Sequence, residues 1–233
     1  VLIYNIPNLP EKPVVLSGPV VADIYAKKIT KWNDPALVAL NPGLPLPDKE
    51  IVVVHRSDGS GTTFQFTTYL SKVSNDWKNK VESTIEWPTG IGAKGNEGIS
   101  GLVKTTPYAI GYVEFAHATE NKLKYTSLIN KAGKTVEPNV KTFSAAAMVK
   151  TLDDLKDLTH QPQEDAWPIT GTSYIIMQKK ADPEKNKAVL SFFNWAFDKG
   201  DDAAESLHYI PLPDAITAKI KELWDHVQPH WSN

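Results

Sequence analysis

The spacing of apolar and polar positions changes several times along the chain, and each change marks an element. Residues 1–6 are apolar, rich in β-branched side chains and stopped by Pro7, which predicts a strand. A shorter strand is predicted at 14–16, ahead of Ser17-Gly18-Pro19. Residues 20–25 and 34–40 predict short helices. Asp34 before Pro35 supplies an N-cap followed by proline at the first helical position, and Asn41-Pro42-Gly43 stops the second helix. Residues 51–54 form an unbroken apolar run, the pattern of a strand covered on both faces in a parallel sheet. Phe66, Tyr69, Leu70 and Val73 then stand at i, i+3, i+4 and i+7, one face of a helix.

The second half is less regular. A helix is predicted over 97–104, a strand over 109–113, and a hairpin from 125–129 through 130–134 to 135–136. Further strands are predicted at 166–169 and 173–178. Two helical stripes follow. Val189, Phe192, Phe193, Ala196 and Phe197 form one that Gly200 closes, and it reads as core packing rather than a cofactor contact. Ile216, Ile220, Leu223 and Val227 form the other, opened by Pro213-Asp214. Alternating strands and helices place the chain in the α/β class, and the irregular order predicts lobes rather than a regular barrel.

Composition narrows the function. Of 233 residues, 41% are hydrophobic and 22% charged, which suits a globular chain. The 25 basic and 27 acidic side chains leave a net charge of -2, with no basic run of the kind that neutralises nucleic-acid phosphates. The absence of cysteine excludes disulfides, thiolate metal sites and cysteine nucleophiles. No run approaches the ~18 apolar residues of a membrane span, and Val1 reads as a processed end or a fragment edge. Among the six histidines only His226 and His230 have helical ligand spacing, and Pro229 breaks the helix between them, so no metal site is expected. The tryptophans, scattered rather than clustered, suit packing.

The chemistry concentrates between the apolar strand and the helix that follows it, at Arg56-Ser57-Asp58-Gly59-Ser60-Gly61-Thr62-Thr63. Ligands of open α/β sheets collect at the carboxyl ends of strands. The first N–H groups of a helix lack internal partners and carry the positive end of its dipole. Gly59 and Gly61 let the backbone come close to a ligand. Ser60 and Thr62 add hydroxyls, and Arg56 adds a planar fork matched to two oxygens of a tetrahedral oxyanion. Asp58 would hold that fork and repel a ligand with no proton to offer. The same residues also suit a plain turn into a capped helix, and pattern alone does not separate the two. Nucleotide phosphate-cradle and hydrolase nucleophile-elbow patterns are both unmet. Gly95-Asn96-Glu97-Gly98 is a second loop-to-helix junction, taken as an ordinary glycine-rich loop, and Glu164-Asp165 as solvated loop.

The order of several motifs carries a resemblance. Ile29-Thr30-Lys31-Trp32-Asn33-Asp34, Leu40-Asn41-Pro42-Gly43, the Arg56–Thr63 run, Lys94-Gly95-Asn96-Glu97-Gly98, Ile110-Gly111-Tyr112-Val113-Glu114 and Ala166-Trp167-Pro168-Ile169 follow one another. In this the chain resembles the periplasmic phosphate-binding proteins of bacterial high-affinity phosphate ABC transporters. The resemblance implies a two-lobed periplasmic-binding-protein-like (type II) α/β fold with a hinge, its first lobe incomplete here. Residues 1–165 would be the second lobe, carrying the anion loop, and 166–233 the hinge return and C-terminal part of the first. It implies a non-enzymatic protein, with no cofactor, metal or catalytic residue, that binds inorganic phosphate and delivers it to a membrane ABC permease. Arg56, Ser60, Gly61 and Thr62 would contact phosphate, with Asp58 orienting and selecting. The protein would be periplasmic, or cell-surface and lipid-anchored. The family opens with a further stretch supplying a Thr-Phe pair, a Ser and a proton-accepting Asp. Val1 falls where the second lobe begins, so the chain would be a fragment or would need a separate N-terminal segment to complete the site. The alternatives are a phosphatase-like protein using the same loop and a non-transport anion-binding protein of this fold.

Overall fold

The computed structural model describes residues 1–177 and 182–227. In chain order the first half runs β1 (Leu2–Asn5), β2 (Val15–Ser17), α1 (Gly18–Tyr25), α2 (Pro35–Leu40), β3 (Val52–Arg56), α3 (Gly61–Val73), β4 (Ile91–Ala93), α4 (Gly95–Thr105) and β5 (Ala109–Tyr112). There follow α5 (Phe115–Glu120), β6 (Lys124–Tyr125), β7 (Ser127–Ile129), β8 (Thr135–Val136), α6 (Val140–Ala147), α7 (Pro183–Lys199), α8 (Asp201–Ser206) and α9 (Asp214–Val227). No helix of the described residues is long and apolar enough to cross a membrane.

The main sheet has the order β4-β3-β5-β1-β6, with β3 parallel to both its neighbours and β1 antiparallel to β5 and β6. The apolar run of β3 therefore lies between two parallel strands, as its pattern predicts. Helix α4 covers one face of this sheet. It lies so close to β5 that a Cβ on Gly111 would stand 2.9 Å from Ile99 and Val103, which explains glycine in a fully buried strand. The other face carries an aromatic cluster of Tyr25, Phe66, Trp87 and Tyr112, with Phe66 stacked on Tyr112 at 4.5 Å. Trp32, Trp77 and Trp167 are fully buried in the same continuous core.

A smaller sheet, β2-β7-β8, pairs β2 parallel with β7 and closes the expected hairpin between β7 and β8. Asn130 organises that turn, its side-chain oxygen accepting from the Ala132 and Lys134 amides. Caps start the helices. Asp34 accepts from the Ala36 amide at 2.9 Å to open α2, and Asn139 with Thr142 forms a reciprocal capping box at α6.

The C-terminal third departs from the sequence pattern in two places. Residues 166–169 and 173–177 form no strand. The first segment spends its polar groups on scattered partners: Trp167 N–H on Thr142 O, and Pro168 O and Ala166 O on His160 and Asn130. Pro168 also has no N–H for a ladder. In the second segment Tyr174, Ile175 and Ile176 are exposed, with no neighbouring strand to receive them among the described residues; the expected Gln178 lies outside these. The aromatic stripe of α7 is likewise not core. Only Asn186 and Leu190 of that helix are buried, while Val189, Phe192 and Trp195 face solvent. Phe197 instead stacks on Trp224 of α9 at 5.5 Å. Helix α9 buries Ile216 against Ala147, Leu155 and Leu158, a small core separate from the main one, and leaves Leu223 exposed. The side chain of Val227 lies outside the described residues.

Candidate functional site

Arg56 is the last residue of β3, and the backbone continues along β4 for one more bond, Ser57 N–H to Ala93 O at 3.0 Å. Its side chain is only 9% exposed and folds back onto Asp58: Nε donates to Oδ1 and Nη2 to Oδ2, both at 2.7 Å. This fork-to-fork pairing is the strong, directional form of a charge-assisted bond. It raises the guanidinium above its ordinary value and holds the Asp58 carboxyl far below its own, helped by the Gly95 amide, which donates to Oδ1 at 3.2 Å. The Asp58 pairing uses Nε and one Nη2 proton, and no hydrogen bond from Nη1 is found among the described residues.

Four residues on, Ser60 is the N-cap of α3. Its Oγ accepts from the Thr63 amide at 3.0 Å, its carbonyl takes the Phe64 amide, and its own N–H goes to Ser83 O at 3.0 Å. That bookkeeping leaves the N–H groups of Gly61 and Thr62 with no hydrogen bond among the described residues, at the positive end of a 13-residue helix. The Ser60 hydroxyl proton remains available, since the cap uses only the oxygen. Around Gly61 there is open space: nothing lies within 4 Å of where a Cβ would stand. The five residues nominated from the sequence thus lie on one loop, with the guanidinium, two open amides and the Ser60 and Thr62 hydroxyls on consecutive stretches of it.

Three contributors were not legible as such. Gly95, read as part of an ordinary glycine loop, sits at φ +72° and opens α4 two residues earlier than predicted, its amide on Asp58. The positive φ favours glycine there; a Cβ would also meet the Glu97 carboxylate at 2.7 Å, the mobile end of an exposed side chain that can swing aside. The signal for it was a second strand end leading into a helix. Ser83 comes from an irregular stretch with no sequence signal. Tyr112 looked like an ordinary strand residue, but its hydroxyl accepts from the Arg56 amide at 3.1 Å and lies 2.7 Å from Thr63 Oγ1.

His55 stacks on Trp87 at 5.3 Å and turns Nδ1 toward Arg56 O; burial lowers its pKa, with that backbone contact acting the other way. It is a packed strand-end residue. Glu164 and Asp165 belong to a surface cluster with Lys134, where Lys141 also joins Asp165. Two surface hollows, one lined by Asn79, Lys80, Glu82 and residues 84–88 and the other by Lys72, Lys131 and residues 159–162, include none of the loop residues. Among the described residues no three His, Asp or Glu side chains gather as metal ligands.

A family model described as a PBP superfamily domain matches residues 1–199. The phosphate-binding protein PstS of Haemophilus influenzae is 49% identical over 229 residues, covering 95% of this chain and 69% of that protein. PstS of Xylella fastidiosa (strain 9a5c) is 47% identical, covering 95% of this chain and 63% of that one. The chain spans about two thirds of the length of these curated relatives. The solved structure of a human phosphate binding apolipoprotein matches 95% of this chain and 69% of its own with a TM-score of 0.67; at 19% identity this shows the fold alone.

Proposed function

The chain belongs to the PBP superfamily and, within it, to the PstS family of phosphate-binding proteins, and from that premise we propose that it binds inorganic phosphate in the periplasm for delivery to a membrane ABC permease. The observation that carries the reading is the Arg56 fork, fixed on Asp58, next to the two unspent amides that open α3. Arg56, the Gly61 and Thr62 amides, and the Ser60 and Thr62 hydroxyls would grip the oxygens. Asp58 is ionised at any physiological pH and stands beside this shell. A ligand oxygen turned toward it is tolerated only if it carries a proton, which phosphate has near neutral pH and sulfate lacks. The loop offers binding groups, and Ser60 Oγ is engaged as a cap acceptor with no imidazole bonded to it among the described residues, so no activated nucleophile is seen there. The protein works, in this reading, by binding rather than by reaction.

We also take residues 1–165 as one lobe and 166–233 as the hinge return and part of the other. Two features support this division. Among the described residues the buried main core is drawn from residues 1–136 and Trp167, with none from α7, α8 or α9, while the small core crosses the boundary by setting Ile216 against Ala147, Leu155 and Leu158. The uncovered apolar face of α7, with Tyr174, Ile175 and Ile176, is surface that further chain would cover, and the relatives are longer than the stretch matched here. Such a segment would also complete the phosphate shell, so the 233 residues alone should bind weakly.

Isothermal titration tests this. Phosphate should bind both the 233-residue protein and a version extended by the N-terminal stretch of the Haemophilus relative, the latter at least about tenfold more tightly, with sulfate about a hundredfold weaker than phosphate. Equal affinity for the two anions, or no phosphate binding by the extended protein, would overturn the reading.

A further inference from the structure

We propose that the Tyr112 hydroxyl is a positioning group for the anion site, setting the distance between the Arg56 arm and the open amides of α3. Strand β3 pairs with β5 only through Val52 and Val53. Beyond that point the Arg56 N–H has no partner on the β5 backbone and turns instead to the Tyr112 hydroxyl at 3.1 Å. The same oxygen lies 2.7 Å from Thr63 Oγ1, in the first turn of α3. One atom therefore ties the end of the strand that carries the guanidinium to the start of the helix that carries the amides. The Thr63 end of the link is deep, with Tyr112 2% exposed and Thr63 1%, while the Arg56 end is half-buried. Losing the Tyr112 hydroxyl would leave the buried Thr63 hydroxyl without this partner and would free the Arg56 amide, so that the intervening loop can relax.

The ring itself does a different job. It stacks on Phe66 and touches Tyr25 and Trp87, contacts that phenylalanine would keep. Burial raises the Tyr112 pKa, while its contacts with Thr63 and the Arg56 backbone act downward, so the group stays a hydroxyl near neutral pH. Tyr69 provides the contrast. Its hydroxyl is also buried but has no hydrogen-bond partner among the described residues, and it lies further along α3. A tyrosine hydroxyl is thus not required by packing on this helix; at position 112 it is bonded on both sides.

The proposal rests on the phosphate reading for its affinity measurement, but not for its structural one. In the 233-residue protein, Tyr112→Phe should weaken phosphate binding about tenfold, and Thr63→Val by the same factor. The double variant should lose about tenfold in total, not a hundredfold, because both substitutions cut one link. Thr63→Ser, which keeps the hydroxyl, and Tyr69→Phe should bind like the parent. In ligand-free protein the Gly61 and Thr62 amide resonances should move in Tyr112→Phe and Thr63→Val, and stay in place in Thr63→Ser and Tyr69→Phe. Unmoved resonances in Tyr112→Phe, or losses that multiply in the double variant, overturn the proposal. If Tyr112→Phe does not fold, Thr63→Val decides by the same readouts. Should the parent protein fail to bind phosphate, the phosphate reading falls and the amide resonances alone decide the positioning role.

Discussion

Helix α3 turns Phe66, Tyr69 and Leu70 into a core where they are fully buried, whereas α7 leaves Phe192 and Trp195 58% and 56% exposed. Both helices carry apolar residues at helical spacing, and both begin with a side-chain cap, Ser60 in one and Asp182 in the other. What differs is the surface opposite. Helix α3 meets α1 and the aromatic cluster under the main sheet. Helix α7 meets α9 through Phe197 on Trp224 and the Lys221–Asp198 ion pair, and the faces of Phe192 and Trp195 stay exposed. The comparison teaches that an amphipathic pattern states which face wants cover, not whether this chain supplies it. It also separates duties, since the helix with the buried face is the one that opens at the proposed anion site.

The largest expected effect breaks or upholds this contrast directly. Phe66→Ala should cost about 3–5 kcal/mol of stability, from lost burial plus a cavity, and Phe192→Ala less than about 0.5 kcal/mol. Urea unfolding checks both, and similar costs for the two would erase the distinction. Next, Arg56→Ala should weaken phosphate binding by about a hundredfold or more, since charge-assisted bonds are lost together, while Trp195→Ala leaves it unchanged in the same titration. Ser60→Ala should remove about 1 kcal/mol through the lost cap and also weaken binding, whereas Asp182→Ala should affect stability alone.

The smallest effect concerns pH. The folded state holds the Asp58 carboxyl well below its ordinary value of 3.8, so stability from the Arg56 pairing is present in full above 3.8 and declines as the pH falls beneath it. Unfolding midpoints compared between pH 5 and 3 should fall less steeply in Asp58→Asn than in the parent. The effect is modest because the carboxylate is partly open to solvent.

Features set by neighbouring residues were the readable ones. The apolar run of β3, the stripe of α3, the Asn130 turn and the Asp34 cap follow from side chains acting within a few positions of themselves. The loop proposed as the anion site belongs with them, because Arg56 reaches Asp58 and Ser60 caps Thr63 inside one strand-to-helix connection. The strands expected at 166–169 and 173–178 were misjudged for the complementary reason. A strand exists only where a second backbone lies alongside, and no run of apolar residues announces that neighbour.

By itself, then, the chain's order of residues determined the class of fold and the strand-to-helix connection, with its guanidinium, carboxylate and hydroxyls, that we propose as the anion site. Only the tertiary structure decided that Gly95, 37 residues from Asp58, would donate to its carboxylate, and that Tyr112, 56 residues from Arg56, would hold the arginine's amide. It likewise decided that one apolar stripe would be buried and the other left bare. Caps, turns and periodicity are short-range and act through a few covalent bonds. Contacts between distant residues depend on sheet register and helix docking, which are settled only when the whole surface finds its lowest free energy together.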